Sequence, residues 1–181
     1  MKEIDAVAVS SGPGSYTGLR IGVSTAKGIC YALDKPLIAI SSLRILSEQA
    51  ALIYNEFVNK EIITFCPMID ARRMEVYTTL FNQNLEQIAE IKAQIITPDT
   101  FSSLLENQKI AFFGNGASKC KEVIQSNNAL FLDEVYPLAS AMSQPAFKFF
   151  NESHFEDVAY FEPFYLKDFI ATIPKNIYTS L

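Results

Sequence analysis

The stretch AVAVSSGPGSYTGLRIGVSTAK, residues 6–27, decides how the rest of the chain is read. A short β-type run, Ala6 to Val9, meets a loop holding Gly12, Pro13 and Gly14, and a small-residue amphipathic segment follows. That succession predicts strand, tight glycine turn, helix. Glycine permits positive φ and close backbone approach, while Pro13 fixes its own φ, so Ser10 to Ser15 form a rigid turn. Ser15 or Thr17 is placed to cap the helix and satisfy one of its free N–H groups. A helix N-terminus beside a glycine loop is a candidate anion site, here with Gly12, Gly14 and Ser15 as contacts.

Nucleotide motifs can be tested letter by letter. A Walker A loop needs G-x-x-x-x-G-K-[ST], and no glycine of the chain has that Lys-Ser/Thr pair after it; a dinucleotide fingerprint counted from Gly12 would need glycine where Thr17 stands. The helix says more. Gly18, Gly22, Ala26 and Cys30 recur along one stripe, and Leu19, Val23, Ala26, Cys30 and Leu33 make an overlapping apolar one. Two interior glycines cost a helix roughly 1 kcal/mol each relative to alanine. Close contact with another backbone would compensate, either with the sheet of the same domain, the reading we favour, or with a partner's helix.

SSGPGSYTGLRIGVSTAKG followed by PLIAISSL is similar to the bacterial TsaB (YeaZ) family, partner subunits in making threonylcarbamoyladenosine (t6A) on tRNA. MIDARRMEVY (Met68 to Tyr77), GNGASK (Gly114 to Lys119) and PFYLK (Pro163 to Lys167) extend the resemblance over nearly the whole chain. The first motif is the specific one; the others mainly confirm order and spacing. The resemblance implies an α/β actin-like fold (ASKHA, ribonuclease H-like) of two subdomains, related to sugar kinases and to TsaD, the catalytic subunit of the same pathway. Residues 1–60 would form the first subdomain and 61–181 the second. The family pattern opens with a strand carrying an aspartate near D-T-S and then a β-hairpin, whereas here Met1 to Asp5 run straight into the glycine loop. The expectation is a shortened chain with an incomplete first subdomain and an unprotected sheet edge, which invites pairing with another chain.

The 181 residues suffice to bury roughly 70% of the unfolded surface, in one large domain or two small ones. No apolar run reaches the length of a membrane span, and the three cysteines, Cys30, Cys66 and Cys120, are too scattered for a metal pair or disulfide framework. A reduced cytoplasm is the natural setting. A net charge of −5 argues against independent tRNA binding, which needs clustered lysine and arginine.

Beyond the first helix, ended by Asp34 to Pro36, Leu37 to Ile40 reads as a buried strand and Ser41 or Ser42 as the cap of a second helix. On it Leu43, Leu46, Ala50, Ile53, Tyr54 and Phe57 share one face. Ile45 and Leu52 fall off that stripe, a second apolar set that fits either contact with another molecule or a helix half-buried between two subdomains. Phe65 to Asp70 and Glu75 to Phe81 look like strands joined around Arg72 and Arg73. Asp70 and Arg72 either pair across this turn, the reading we favour, or Arg72 contacts an anion. Ile88 to Ile96 alternates as a strand, a helix runs from Pro98 to about Asn107, and Ile110 to Phe113 is a buried strand. Gly114, Asn115 and Gly116 then turn into a helix from about Ala117 to Ser126, a second glycine loop whose Gly114 and Gly116 are further candidate nucleotide or anion contacts. Ala129 to Leu132 is a strand, Ser140 to Phe150 a helix with Pro145 in its first turn, and Val158 to Phe169 an aromatic tail that packs.

In TsaD the strand equivalent to PLIAI leads into an H-x-x-x-H metal pair; alignment on Pro-Leu puts Ser42 and Leu46 there, and neither replaces histidine. The one histidine, His154, lies in a polar stretch. No metal ligand set and no catalytic residue is assigned. The resemblance therefore implies a non-catalytic scaffold that binds TsaD while TsaD modifies adenosine 37 of tRNA. TsaE would join the larger complex, tRNA would be met only indirectly, and a homodimer competes for the same surface. Leu19, Arg20, Val23 and Lys27 of the first helix, with Ile45 and Leu46 of the second, are the interface candidates, chosen by helical spacing and family analogy; Leu46 fits the core equally well. No intrinsic cofactor is expected, and ATP or ADP would bind only within the complex. The rival class is an enzyme, either an actin-like ATPase using both glycine loops or an M22-type peptidase-like protein. The first lacks its acidic metal-binding residue, and one isolated histidine supplies neither ligands nor a base for the second.

Overall fold

A computed structural model describes residues 3–54 and 63–167. Val7–Gly12 forms strand β1 and Tyr16–Leu33 helix α1. The strand outruns its β-type run because Ser10 and Gly12 stay paired with the next strand. Ser15 is the helix cap, its hydroxyl accepting from Gly18 N. Asp34 ends α1 in the left-handed conformation, its N–H bonded to Cys30 O. Strand β2, Leu37–Ser41, pairs parallel with β1, and helix α2, Ser42–Ile53, follows without a gap.

Because β2 is apolar on both faces, both faces of the β1–β2 sheet must be covered. On one side Val23, Ala26 and Cys30 of α1 pack on Val9 and Leu37. On the other, Ile38 and Ile40 meet Ile45 of α2 together with Ala141, Met142, Ala146, Phe149 and Phe150 from late in the chain.

The second sheet has five strands. They are β3 (Ile63–Asp70), β4 (Glu75–Thr78), β5 (Lys92–Ile95), β6 (Lys109–Phe113) and β7 (Ala129–Leu132), in spatial order β5-β4-β3-β6-β7. β3, β6 and β7 run parallel, while β3–β4 and β4–β5 are antiparallel. One face buries Cys66, Met68, Val76, Ile110 and Phe112 beneath Phe101, Leu105, Ala117, Cys120 and Ile124. The other sets Ile63, Phe65, Ala111 and Phe113 against Leu43, Leu46 and Ala50 of α2. Phe65 and Phe113 are completely buried with their rings edge-to-face, each contributing about 1.5–3 kcal/mol from burial. Helix α2 is thus clamped between the two sheets, and its second apolar set divides: Ile45 is buried against the first sheet, while Leu52 stays exposed. Phe57, expected on the α2 stripe, lies outside the described residues.

Three expectations change. The helix from Pro98 shrinks to α3, Ser102–Leu105. The helix expected from Ala117 to Ser126 is only a 3-10 turn, Ser118–Cys120, continued by turns, since Cys120, Lys121 and Val123 donate three residues back; this tight winding holds Ala117, Cys120 and Ile124 in the core. Helix α4, Ser143–Asn151, and the segment after it return to the first sheet: Glu156 N donates to Leu37 O, and Val158 and Phe161 pack beside α1. A division near residue 60 therefore separates the strands of the two sheets but not the chain that covers them.

Candidate functional site

Each sheet ends in a glycine loop, after β1 and after β6, and a cleft of about 530 Å³ lies between them. Its lining includes Val9 and Ser10 of β1, Gly14 and Ser15 of the loop, Gly18 and Gly22 of α1, Ser42 and Leu46 of α2, and Ile69, Asn115 and Tyr136 from the second lobe. The wall is mostly apolar, and neither lysine nor arginine contributes to it. Ser10 and Ser42 satisfy each other's hydroxyls at 2.7 Å. Ser42 and Leu46, which carry no metal-ligating side chain, both face this cleft.

The five glycine-loop candidates divide. Gly12 has φ 105°, and a Cβ on it would stand 2.9 Å from Phe164 O, because Phe164 N donates to Ser11 O and lays the PFYLK segment over the loop. Gly114 has φ 95° and would bring a Cβ to 2.5 Å from Met68 O. Gly116 would meet Ile69 and Asp70 backbone at 2.9 and 3.0 Å, and its N–H already donates to Met68 O. Gly12, Gly114 and Gly116 are glycine for close packing, which accounts for them without a bound anion, and they do not line the cleft. Only Gly14 and Ser15 line the cleft, and Ser15 is engaged in capping α1.

The close backbone contact expected at Gly18 and Gly22 is absent. A Cβ at Gly22 would reach only Val9 Cγ2 at 3.9 Å, one at Gly18 only its own cap residue, and one at Gly28 nothing within 4 Å. Gly18 and Gly22 open onto the cleft, and Gly28 onto the outer face of α1.

Among the six interface candidates, Leu19, Val23, Ile45 and Leu46 are buried inside the chain, so their assignment to a partner is corrected: the apolar stripe of a helix in an α/β layer is consumed by its own sheet. Lys27 Nζ donates to Ala159 O and Phe161 O, tying down the C-terminal segment. Arg20 stays exposed, with its guanidinium on the Tyr16 hydroxyl at 2.7 Å and over that ring. What α1 does leave open is the opposite stripe, Thr17, Ile21, Ser24, Gly28 and Tyr31, spaced at helical periodicity. Ile21 is 64% and Tyr31 86% exposed, and at the end of α2 Leu52 and Ile53 are also exposed. Hydrophobic side chains flanking small residues on one outward face make a surface suited to a second helix. Of these, only Leu52 had a readable signal, its departure from the α2 stripe.

The MIDARRMEVY segment forms the β3–β4 hairpin. Asp70 does not pair with the Arg72 guanidinium. It accepts from the Arg72 backbone N–H and forms an ion pair with Lys119, whose Nζ also donates to Glu75 O. The Lys119 hydrogen bond holds the Asp70 carboxyl below its usual range. Lys167 of PFYLK pairs with Glu75, so two motifs far apart in sequence meet here. Lys119 and Lys167 escaped sequence reasoning because nothing local marks a lysine whose acid lies on another element.

His154 is exposed and stacked on Phe149 at 4.8 Å. Among the described residues no group of three or more His, Cys, Asp or Glu is placed to hold a metal ion. The three cysteines are free and buried, and burial pushes the Cys66 thiol up to about 12. No described helix is long and apolar enough to cross a membrane.

The family model TsaD, described as tRNA N6-adenosine threonylcarbamoyltransferase, matches residues 1–175. The chain belongs to this family. Within the TsaD family it is similar to the TsaB (YeaZ) proteins. It is 34% identical over 128 residues to "tRNA threonylcarbamoyladenosine biosynthesis protein TsaB" of Bacillus subtilis (strain 168), covering 68% of this chain and 52% of that protein. With the protein of the same name from Haemophilus influenzae it shares 28% identity over 177 residues, 93% of this chain and 72% of the relative. The chain thus spans about half of the first relative's length and under three quarters of the second's. A solved Pseudomonas aeruginosa protein described as similar to peptidase YEAZ superposes with TM-score 0.75 at 22% identity, over 92% of this chain and 75% of that one. The fold is the actin-like α/β fold of the TsaD family.

Proposed function

We propose that the chain is a non-catalytic partner subunit in the t6A modification of adenosine 37 in tRNA, binding the catalytic subunit TsaD in the cytoplasm. The observation that carries this reading is the open face of α1. Ile21 and Tyr31 flank Gly28, which has free space above it. A helix of TsaD laid along Gly28 would approach closely and bury both exposed side chains. The similar proteins are named for threonylcarbamoyladenosine biosynthesis, which supports this reading. By binding only the competent conformation of TsaD, the chain would raise that conformation's population by its differential affinity. TsaE joins the larger complex, tRNA is met through TsaD, and two copies of the chain compete for the same face. A nucleotide in the cleft would draw its cations from the partner, since no lysine or arginine lines it.

Calorimetric titration of TsaD with wild-type chain and with Ile21→Glu tests the reading. A buried glutamate in an apolar contact should weaken binding at least tenfold, about 1.4 kcal/mol or more, with the chain's own melting unchanged because residue 21 is exposed. Unchanged affinity for TsaD overturns it.

A further inference from the structure

Arg72 and Arg73 form the tip of the β3–β4 hairpin, and both backbones are left-handed, at φ 70° and 50°. Asparagine and glycine occupy such positions without the conflict that an arginine Cβ meets. Both side chains are exposed, and among the described residues neither guanidinium has a hydrogen-bond or ion-pair partner. The two carboxylates flanking the turn are occupied elsewhere, Asp70 by Lys119 and Glu75 by Lys167. Two guanidinium groups that no carboxylate grips directly therefore project from a chain whose net charge is −5, Arg72 feeling the Asp70 carboxylate only through space.

We propose that the Arg72–Arg73 turn is a docking point for an acidic segment of a protein partner, with the two planar guanidinium forks gripping its carboxylates. Nucleic acid fits less well, because a phosphate backbone calls for an extended run of cations and the turn offers only two. With Lys119 and Lys167 already paired, the turn offers two charges only, which matches one or two carboxylates. The site lies on the second sheet and does not depend on the α1 face, so either can fail alone.

The test is fluorescence anisotropy of a labelled hexaglutamate peptide titrated with the chain at low ionic strength, using wild type, an Arg72→Asn/Arg73→Gly double variant and an Arg72→Lys/Arg73→Lys double variant. Wild type should bind. The Asn/Gly variant should lose about tenfold or more in affinity while melting at a higher temperature, because the turn is relieved. The lysine variant should fall between, having lost the fork geometry but kept the charge. Failure of wild type to bind, equal affinity of the Asn/Gly variant, or a lowered melting temperature for it, which would make the arginines supports of the turn, each overturns the proposal. So does tighter binding of a hexathymidylate than of the peptide.

Discussion

Gly28 sits part-way along the open face of α1, where an added Cβ meets nothing within 4 Å. Gly28→Ala therefore brings no clash and removes the penalty of an interior helical glycine, about 0.8–1.0 kcal/mol. In a chain of 181 residues that gain should raise Tm by roughly 2–4 °C. Urea unfolding followed by circular dichroism should show a higher midpoint with an unchanged slope, the sign of added stability without altered compactness. The same methyl group stands where a TsaD helix would come closest. Helix separation depends on side-chain size at the contact, so overpacking should weaken the complex by about 1–3 kcal/mol. The two effects have opposite signs, and a chain that is more stable yet binds TsaD less well is the expected signature. A destabilised Gly28→Ala would refute the open face itself, and a stabilised variant with unchanged affinity would remove Gly28 from the contact.

Gly114→Ala should instead destabilise the chain by about 2–4 kcal/mol, through the positive φ and the clash with Met68 O, and denaturant unfolding measures it. Phe113→Ala, which empties a completely buried site under α2, should cost about 3–5 kcal/mol by the same assay. Cys66 should resist alkylation in the native state and react on unfolding. Its raised thiol value means that the stability it confers is fully present below the ordinary thiol range and is lost as pH climbs toward about 12, which urea midpoints across alkaline pH will show. Asp70 shows the opposite case. Its lowered carboxyl value gives stability that is present above the ordinary carboxylate pKa near 4 and lost as pH falls through the native value. Asp70→Asn should flatten that part of the acid unfolding curve.

Much of the fold was legible because its signals are local. The glycine turn, the cap at Ser15, the stripe Leu19, Val23, Ala26 and Cys30, and the apolar strands β2, β3 and β6 all stand where their spacing puts them. The site was less legible, and the reason is tertiary. Apolar periodicity identifies the side of a helix that must be buried but not what buries it, and for α1 the covering body is its own sheet. Ile45 looked surplus on α2 because the element it shares a core with, α4, arrives about a hundred residues later. The surface left over, Thr17 to Tyr31 with Ile21 and Gly28, is conspicuous only after the buried side has been assigned. Gly114 and Gly116 read as a phosphate loop in sequence, but their lack of Cβ is used up by the neighbouring β3 backbone.

The most direct measurement is sedimentation velocity of the chain alone and mixed with TsaD from the same organism, with Tyr31→Glu alongside. A one-to-one heterodimer that displaces any self-association, and that Tyr31→Glu abolishes while the variant stays folded, is the predicted result. Two independent boundaries in the mixture, or a heterodimer indifferent to Tyr31→Glu, would contradict the account.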